Sequence, residues 1–346
     1  MQIIGENISV QKMYSEVSPY PGQFIRLLKD TNVLRQGFYS FLAKRKMFNQ
    51  KTAYALFSSL DRFNKFCPQS QEKLDILDVG CGTGEVSLQL GLAFPNSKIT
   101  GVDSSLGSLE WAKKLKDYFG INNVTFTRRD FDSEPLVGLG KFDLIHCCGV
   151  LHHLKNPDWG MKHMTEVLKS KESTLWIFLY ANFGRHLENI VRKGIRMVIP
   201  DDNMLPKRAN LAKELGYDRR ILSLLGPIAV NNAKRSRAIL KFRWTFQQFM
   251  LNLKDFGFYR YADRLENTDI FDAFAHPIVR YYDAKMVKEL AEVAGLDLVS
   301  FRFYPHNQTF EDKIAPLVKN KDIYSQMETM ECFHYPQSLY LNFRKK

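Results

Sequence analysis

Long apolar runs are missing from this chain of 346 residues. A membrane-spanning helix needs roughly 18 consecutive apolar residues, and the longest candidate, Ile221 to Val230, is far shorter and is broken by Gly226 and Pro227. No membrane span is expected. The N-terminal stretch from Met1 to Val17 has neither a basic region leading into an apolar core nor an Arg- and Ser-rich composition, so no export or organellar signal is expected there. Cysteine is scarce: Cys67, Cys81, Cys147, Cys148 and Cys332 make an odd count of five in a chain too long to need cross-links. That usage points to a reducing compartment and a cytoplasmic location. With 20 glycines and 13 prolines, no low-complexity tract and no internal repeat, collagen-like and repeat architectures are excluded. What remains is 45% hydrophobic and 25% charged, enough for a substantial core in one large domain with additions, or in two domains.

Acidic residues are also in deficit, 37 against 49 Lys+Arg, for a net charge of +12. The excess is local. Residues 185 to 260 hold 16 Lys+Arg and 6 Asp+Glu, a net of +10. Two clusters stand out: Arg185 to Arg196, and Lys234 to Arg243, which runs into Trp244, Phe246 and Phe249. Basic residues beside aromatics suit single-stranded nucleic acid, a lid over an anionic small substrate or a lipid surface, or a solvated amphipathic helix. An anionic small molecule or lipid surface, and equally a solvated face, are favoured over nucleic acid.

Residues 1–70 read as a helical preface, with the turn-like Ser18-Pro19-Tyr20-Pro21-Gly22 inside it. From Leu74 short apolar or β-branched runs alternate with amphipathic stretches, the texture of βαβ units and a parallel sheet. Strands are expected at Leu74 to Val79, Lys98 to Val102, Asn123 to Thr127, Phe142 to Cys148 and Thr174 to Tyr180. Helices fall between them at Gly84 to Phe94, Gly107 to Phe119 and Pro157 to Leu168. The alternation stops after Tyr180 and resumes with a helix from Ala284 to Ala294, closed by Gly295. Strands at Leu296 to Tyr304 and Ser338 to Phe343 follow, the long connection between them calling for a further helix. The expected organisation is a preface (1–70), a cofactor-binding core (71–184), a basic, mostly helical cap (185–283) and a return to the core sheet (284–346).

Chemistry concentrates in Leu74-Asp-Ile-Leu-Asp-Val-Gly-Cys-Gly-Thr-Gly84, an apolar strand that enters a glycine turn and then a helix. Glycines there permit positive φ and close approach of a ligand, and the helix start offers free N–H groups. A dinucleotide fingerprint needs G-x-G-x-x-G, whereas Gly80, Gly82 and Gly84 are spaced G-x-G-x-G and Glu85 follows. An acid at that point suits a ligand without phosphates that carries an amino group and a sulfonium. Asp103 ends the second strand, where a carboxylate accepts from both hydroxyls of a ribose. Asp130 follows the third, placed for an adenine amino group, with Phe131 against the ring. Three acids at the carboxyl ends of consecutive strands describe an adenosine cleft.

These motifs resemble those of the class I, seven-stranded S-adenosylmethionine-dependent methyltransferases: Asp78-Val-Gly-Cys-Gly-Thr-Gly84, Val102-Asp103-Ser-Ser, Arg129-Asp130-Phe131 and Cys148-Gly-Val-Leu-His-His-Leu154. The stretches from Asp103 to Ala112, Gly149 to Pro157 and Leu179 to Arg185 are similar to a bacterial subgroup often attached to tetratricopeptide repeats, and no such repeats occur here. The resemblance implies an α/β fold with a doubly wound, seven-stranded, mostly parallel sheet. It implies S-adenosylmethionine as cofactor, with Asp78, Gly80 and Gly82 at its methionine end and Cys81, Thr83 and Gly84 completing the turn. Asp103, with Ser104, is assigned to the ribose, Asp130 and Phe131 to the adenine, and the backbone of Gly149 and Val150 to the sulfonium and the incoming nucleophile.

Catalytic candidates are His152 and His153, which follow the fourth strand, and His276, where the chain returns from the basic segment. An imidazole titrates near neutrality and serves as a general base; local packing of the pair is the competing reading. Tyr281, Tyr282 and Asp272 are candidates for a substrate wall, and Tyr14 and Tyr20 for closing over the cofactor. His146, Cys147, Cys148 and His163 lie nearby, but neighbours on a strand point to opposite faces and no C-x-x-C or H-x-x-x-H pair occurs, so no metal is expected. The leading expectation is methyl transfer to a small or medium-sized anionic acceptor. Alternatives are an RNA or protein methyltransferase docking through the basic segment, or a non-catalytic cofactor-binding partner. The oligomeric state is not legible.

Overall fold

The run Ile76-Leu77-Asp78-Val79 is buried throughout and forms the body of β1 (Asp75–Val79), as expected of a strand covered on both faces of a parallel sheet. It belongs to a computed structural model that describes residues 73–216 except 203, and 274–304, 314–334, 336 and 338–346. The preface, Tyr14, Tyr20, the cluster from Lys234 to Arg243, and Asp272 lie outside the described residues.

Strands β2 (Lys98–Asp103), β3 (Val124–Arg128), β4 (Leu144–Cys148), β5 (Thr174–Tyr180), β6 (Leu296–Tyr304) and β7 (Ser338–Lys345) complete a seven-stranded sheet. Its order is β3-β2-β1-β4-β5-β7-β6. The pairs from β3 through β5 are parallel, while β7 runs antiparallel to both β5 and β6. The chain steps outward from β1 to β3 and then crosses back to β4 on the other side of β1. Such a reversal opens a crevice above the carboxyl ends of β1 and β4, the place where open α/β sheets receive ligands.

Helices α1 (Glu85–Ala93), α2 (Leu106–Phe119), α3 (Pro157–Glu166), α4 (His186–Val198), α5 (Leu205–Gly216), α6 (Ala284–Ala294) and α7 (Ile323–His334) fall between or beside the strands. Their starts are chemically marked. Ser105 accepts from the Ser108 N–H to cap α2, Asn156 accepts from Trp159 N–H ahead of Pro157 in α3, and Asp283 accepts from Met286 N–H at α6, each worth about 1 kcal/mol. Gly295 closes α6 in the left-handed conformation, φ 65°, as its position in the sequence predicts. The expected strands and helices are found within a residue or two, and α7 occupies the long connection between β6 and β7. The first part of the basic segment is helical, as α4 and α5.

The core joins Leu77, Val79, Ile145 and Ile177 of the sheet to Met161 and Met164 of α3 and to Val287 and Leu290 of α6. Each such side chain contributes about 1.5–3 kcal/mol when fully buried, which fixes the strand ends that carry the site. Among the described residues no helix is long and apolar enough to cross a membrane.

Candidate active site

The turn after β1 is held from beneath. Gly80 and Cys81 N–H groups both donate to the Val102 carbonyl, at 2.8 and 3.0 Å, and Gly84 N–H donates to the Cys81 carbonyl at 2.9 Å. The three glycines all have positive φ, 69°, 54° and 82°, but their surroundings differ. A Cβ on Gly80 would lie 2.0 Å from Val150 Cγ2, and one on Gly84 would meet Phe126 and Ala112 at 2.7 and 2.8 Å. A Cβ on Gly82 meets nothing within 4 Å. Gly80 and Gly84 therefore admit the protein's own side chains, while Gly82 turns its bare face to open space. Gly149, φ 77°, is open in the same way.

Asp103 closes the turn from β2. One carboxylate oxygen accepts from Gly82 N–H at 2.9 Å and the other from Ser105 N–H at 2.8 Å. Burial, with the neighbouring Asp78, pushes this carboxyl above the usual carboxylate range, and backbone donors at Ser105, Gly82 and Ser104 oppose the shift. Each oxygen keeps a second lone pair. Ser104 stands beside it, half-buried.

Asp78 sits lower than expected. It is only 2% exposed, and its oxygens are engaged by His146 Nδ1 at 2.7 Å and the Ser87 hydroxyl at 2.5 Å. Asp78 and His146 face each other across β1 and β4, and His146 stacks on Trp176. Both carboxylate oxygens being drawn into the sheet, Asp78 supports the glycine turn rather than lining the crevice. Thr83 and Cys81 are buried as well; burial and the neighbouring Asp78 and Asp103 push the Cys81 thiol up, keeping it protonated. Phe131 also departs from expectation. The backbone turns at Asp130, whose side chain accepts from Asp132 N–H, and this directs Phe131 into the core against Trp159 instead of toward a ligand ring. Asp130 itself remains half-buried at the end of β3.

The three candidate histidines, 124 residues apart at the extremes, come together. His152 lies 4.3 Å from His153 and His153 lies 4.2 Å from His276, between ring centroids. His152 stacks on Tyr180 at 3.9 Å, and the Arg185 guanidinium covers Tyr180 at 3.7 Å. The segment from His276 to Tyr282 forms a strap over these rings. Arg280 N–H donates to the His152 carbonyl at 2.9 Å, Tyr282 N–H to the Tyr180 carbonyl and Asn182 N–H to the Tyr282 carbonyl, each at 2.8 Å. His153 Nδ1–H donates to the Ile278 carbonyl at 2.8 Å. Burial, first among the causes, lowers all three imidazoles: His153 to about 4, and His152 and His276 well below the usual 6.5. They are neutral at pH 7 and weak bases, which argues against the expected general-base role. Tyr282 is buried in the core, and Tyr281 donates to Glu188. His163 pairs with Glu166 on the surface of α3. Among the described residues no group of three His, Cys, Asp or Glu side chains is placed to hold a metal ion.

Sequence reasoning missed Arg192 as an individual residue. It saw only a basic cluster, yet α4 and α5 turn their arginines inward: Arg208 is fully buried and Arg192 is 8% exposed. No local pattern signals this: the helical period sets Arg192 and Arg196 opposite the apolar residues of α4, of which Ile190, Met197 and Val198 are exposed.

Residues 70–193 match a family described as a methyltransferase domain. An uncharacterised protein of Synechococcus sp. is 28% identical over 255 residues, covering 70% of this chain and 54% of that protein. Malonyl-[acyl-carrier protein] O-methyltransferase 2 of Ilyobacter polytropus is 29% identical over 142 residues, 41% of this chain and 51% of the relative. The structure of PKMT2 from Rickettsia typhi in complex with AdoHcy shares the fold, with a TM-score of 0.53 and 18% identity over 80% of this chain and 50% of that one. The chain thus spans about half the length of the curated relatives it matches. The family match thus spans the strands from β1 to β5 and the glycine turn.

Proposed function

We propose that the chain transfers a methyl group from S-adenosylmethionine to a small or medium-sized anionic acceptor. The observation that carries this reading is the pairing of Asp103 with Gly82 beneath an open face: a fixed carboxylate with free lone pairs, next to a backbone that a ligand can touch. Asp103, flanked by Ser104, holds the ribose hydroxyls. Gly80, Cys81, Gly82, Thr83 and Gly84 shape the turn against which the amino-acid end lies, and Asp78 keeps that turn in place. Asp130 meets the adenine amino group. Gly149 and Val150 line the crevice at the end of β4, where donor and acceptor meet. The cofactor supplies a methyl already activated by its sulfonium, so the protein's tasks are alignment and exclusion of water.

The core (71–184) and the returning strands (284–346) then form the cofactor unit, with 185–283 as the acceptor cap and 1–70 as an added preface. His152, His153 and His276 act as a neutral wall of the acceptor pocket. Inward-facing Arg192 favours an anionic small molecule over a nucleic-acid surface for the first basic cluster. The names of relatives, a malonyl-[acyl-carrier protein] O-methyltransferase and N-methyltransferase 4 of Papaver somniferum, are compatible with such an acceptor. The motif patterns support kinship with the subgroup often attached to tetratricopeptide repeats, and the cysteine usage supports a cytoplasmic setting.

The test is transfer of a radiolabelled methyl from S-adenosylmethionine to cell lysate, fractionated into small molecules, RNA and protein. Label in the small-molecule fraction supports the proposal. Label confined to RNA or protein overturns the acceptor class, and no label in any fraction overturns the activity.

A further inference from the structure

Four arginines lie on the described part of the basic segment, and three of them reach a carboxylate. Arg185 pairs with Glu188 at 2.7 Å, and Arg196 and Arg208 share Asp202 at 3.0 and 2.7 Å. Arg192 has no carboxylate within ion-pair distance among the described residues, although it is only 8% exposed. Its Nη2 donates to the carbonyls of His276 and Pro277, each at 2.9 Å, and its buried Nε–H has no acceptor. Glu188 acts on it only at longer range. Guanidinium does not shed its proton in a protein, and a buried charge without a counter-charge is costly.

The same place holds further unsatisfied atoms. His153 Nε2 is buried without a hydrogen-bond partner, and the buried His152 ring has at most a poorly aligned contact with the Phe178 backbone. The Arg192 contacts lead directly to this stack, since His276 gives its carbonyl to Arg192 and its ring to His153. Native interiors leave few buried polar groups unpaired, so a concentration of them marks a place built for an occupant.

We infer that Arg192 and the His152–His153–His276 stack form a subsite for a carboxylate carried by the methyl acceptor. This rests on the methyltransferase reading above and adds to it the charged group by which the acceptor is held. A single negative charge balances the single unpaired guanidinium, whereas a doubly charged phosphate would leave an excess charge buried. A neutral His152 fits as well, because one of its ring nitrogens donates a hydrogen bond without adding charge, while the N–H of His153 is already given to Ile278.

The test uses the full chain saturated with S-adenosylhomocysteine, near neutral pH and at fixed ionic strength. Benzoate is the probe, with benzamide as its uncharged counterpart and phenylphosphonate as a more highly charged one, titrated by NMR. Benzoate should bind about tenfold or more tightly than benzamide, the range of a charge-assisted hydrogen bond, and more tightly than phenylphosphonate. Arg192→Gln should erase the preference for benzoate and Arg192→Lys should keep part of it. Equal binding of benzoate and benzamide to the native chain overturns the inference, with the counter-charge then coming from the chain itself. Retention of the preference in Arg192→Gln, or tighter binding of phenylphosphonate, overturns it too. The comparison on the native chain needs no variant, so misfolding of Arg192→Gln leaves it decisive. Binding of S-adenosylhomocysteine is measured in the same samples; its failure counts against the cofactor reading and leaves the benzoate comparison readable.

Discussion

Gly80 and Gly82 stand two residues apart in one turn and carry different burdens. An alanine Cβ at position 80 collides with Val150 and adds the strain of positive φ, so Gly80→Ala should lower stability by about 2–3 kcal/mol, measurable by urea unfolding. Val150→Ala in the same chain should restore the steric part; no recovery would contradict the contact. Gly82→Ala meets no protein atom and should cost only about 1 kcal/mol of backbone strain, yet weaken S-adenosylhomocysteine binding well beyond that. Equal losses of stability at the two positions would refute this division. Spacing in the sequence treats these glycines alike, because it does not say which missing Cβ faces protein and which faces ligand. The histidines carry a pH signature of their own. An imidazole whose native pKa lies below its unfolded value binds fewer protons when folded, so its stability contribution is complete above about 6.5 and is lost as pH falls toward about 4. Stability should therefore drop across that window by on the order of a few kcal/mol for His153, read as a falling thermal midpoint, with protonation opposed by Arg185 and Arg192 nearby. His152→Phe, which removes two buried nitrogens from a stacked ring, should make the acid limb shallower; an unchanged limb would show that the cluster does not govern it.

Pairs of elements explain what single positions do not. Asp78 on β1 and His146 on β4 form a hydrogen-bonded pair in register, and with Ser87 of α1 they tie two strands and a helix under the glycine turn. His146→Leu leaves a buried carboxylate with one partner fewer. It should destabilise the chain by about 2–3 kcal/mol and weaken S-adenosylhomocysteine binding, although His146 touches no ligand in this account; native affinity in a folded His146→Leu variant would contradict that support role. Strands, helix caps and the glycine turn were legible because each is written in a local pattern, alternation, a capping side chain or a tight spacing. The strap over His152 was not, because it depends on hydrogen bonds between residues more than a hundred positions apart, such as Arg280 N–H to the His152 carbonyl. For the same reason Asp78 and Phe131 were assigned to the ligand: a motif shows that they neighbour the crevice, and only the packing of β4 and α3 shows that they turn away from it.

At the scale of the molecule, the reversal of the chain between β1 and β4 gathers most of the described candidate residues at the carboxyl end of the sheet. Asp103, Gly82, Gly149 and the histidine stack all follow carboxyl ends of strands β1, β2, β4 or β5, or lie over them. The sheet order was legible only through the resemblance of the motifs, since alternation of strands and helices predicts a parallel sheet and not which strand lies next to which. Antiparallel β7, inserted between β5 and β6, is set by long-range pairing that no local pattern records. The position of the methyl donor decides the roles of these residues, and a crystal structure with S-adenosylhomocysteine answers this most directly. It should place the ribose hydroxyls on the Asp103 carboxylate and the amino-acid end along Gly82, and Asp103→Ala should reduce affinity by about tenfold or more. Density for the ligand away from the β1–β4 crevice, or undiminished affinity in Asp103→Ala, would contradict it.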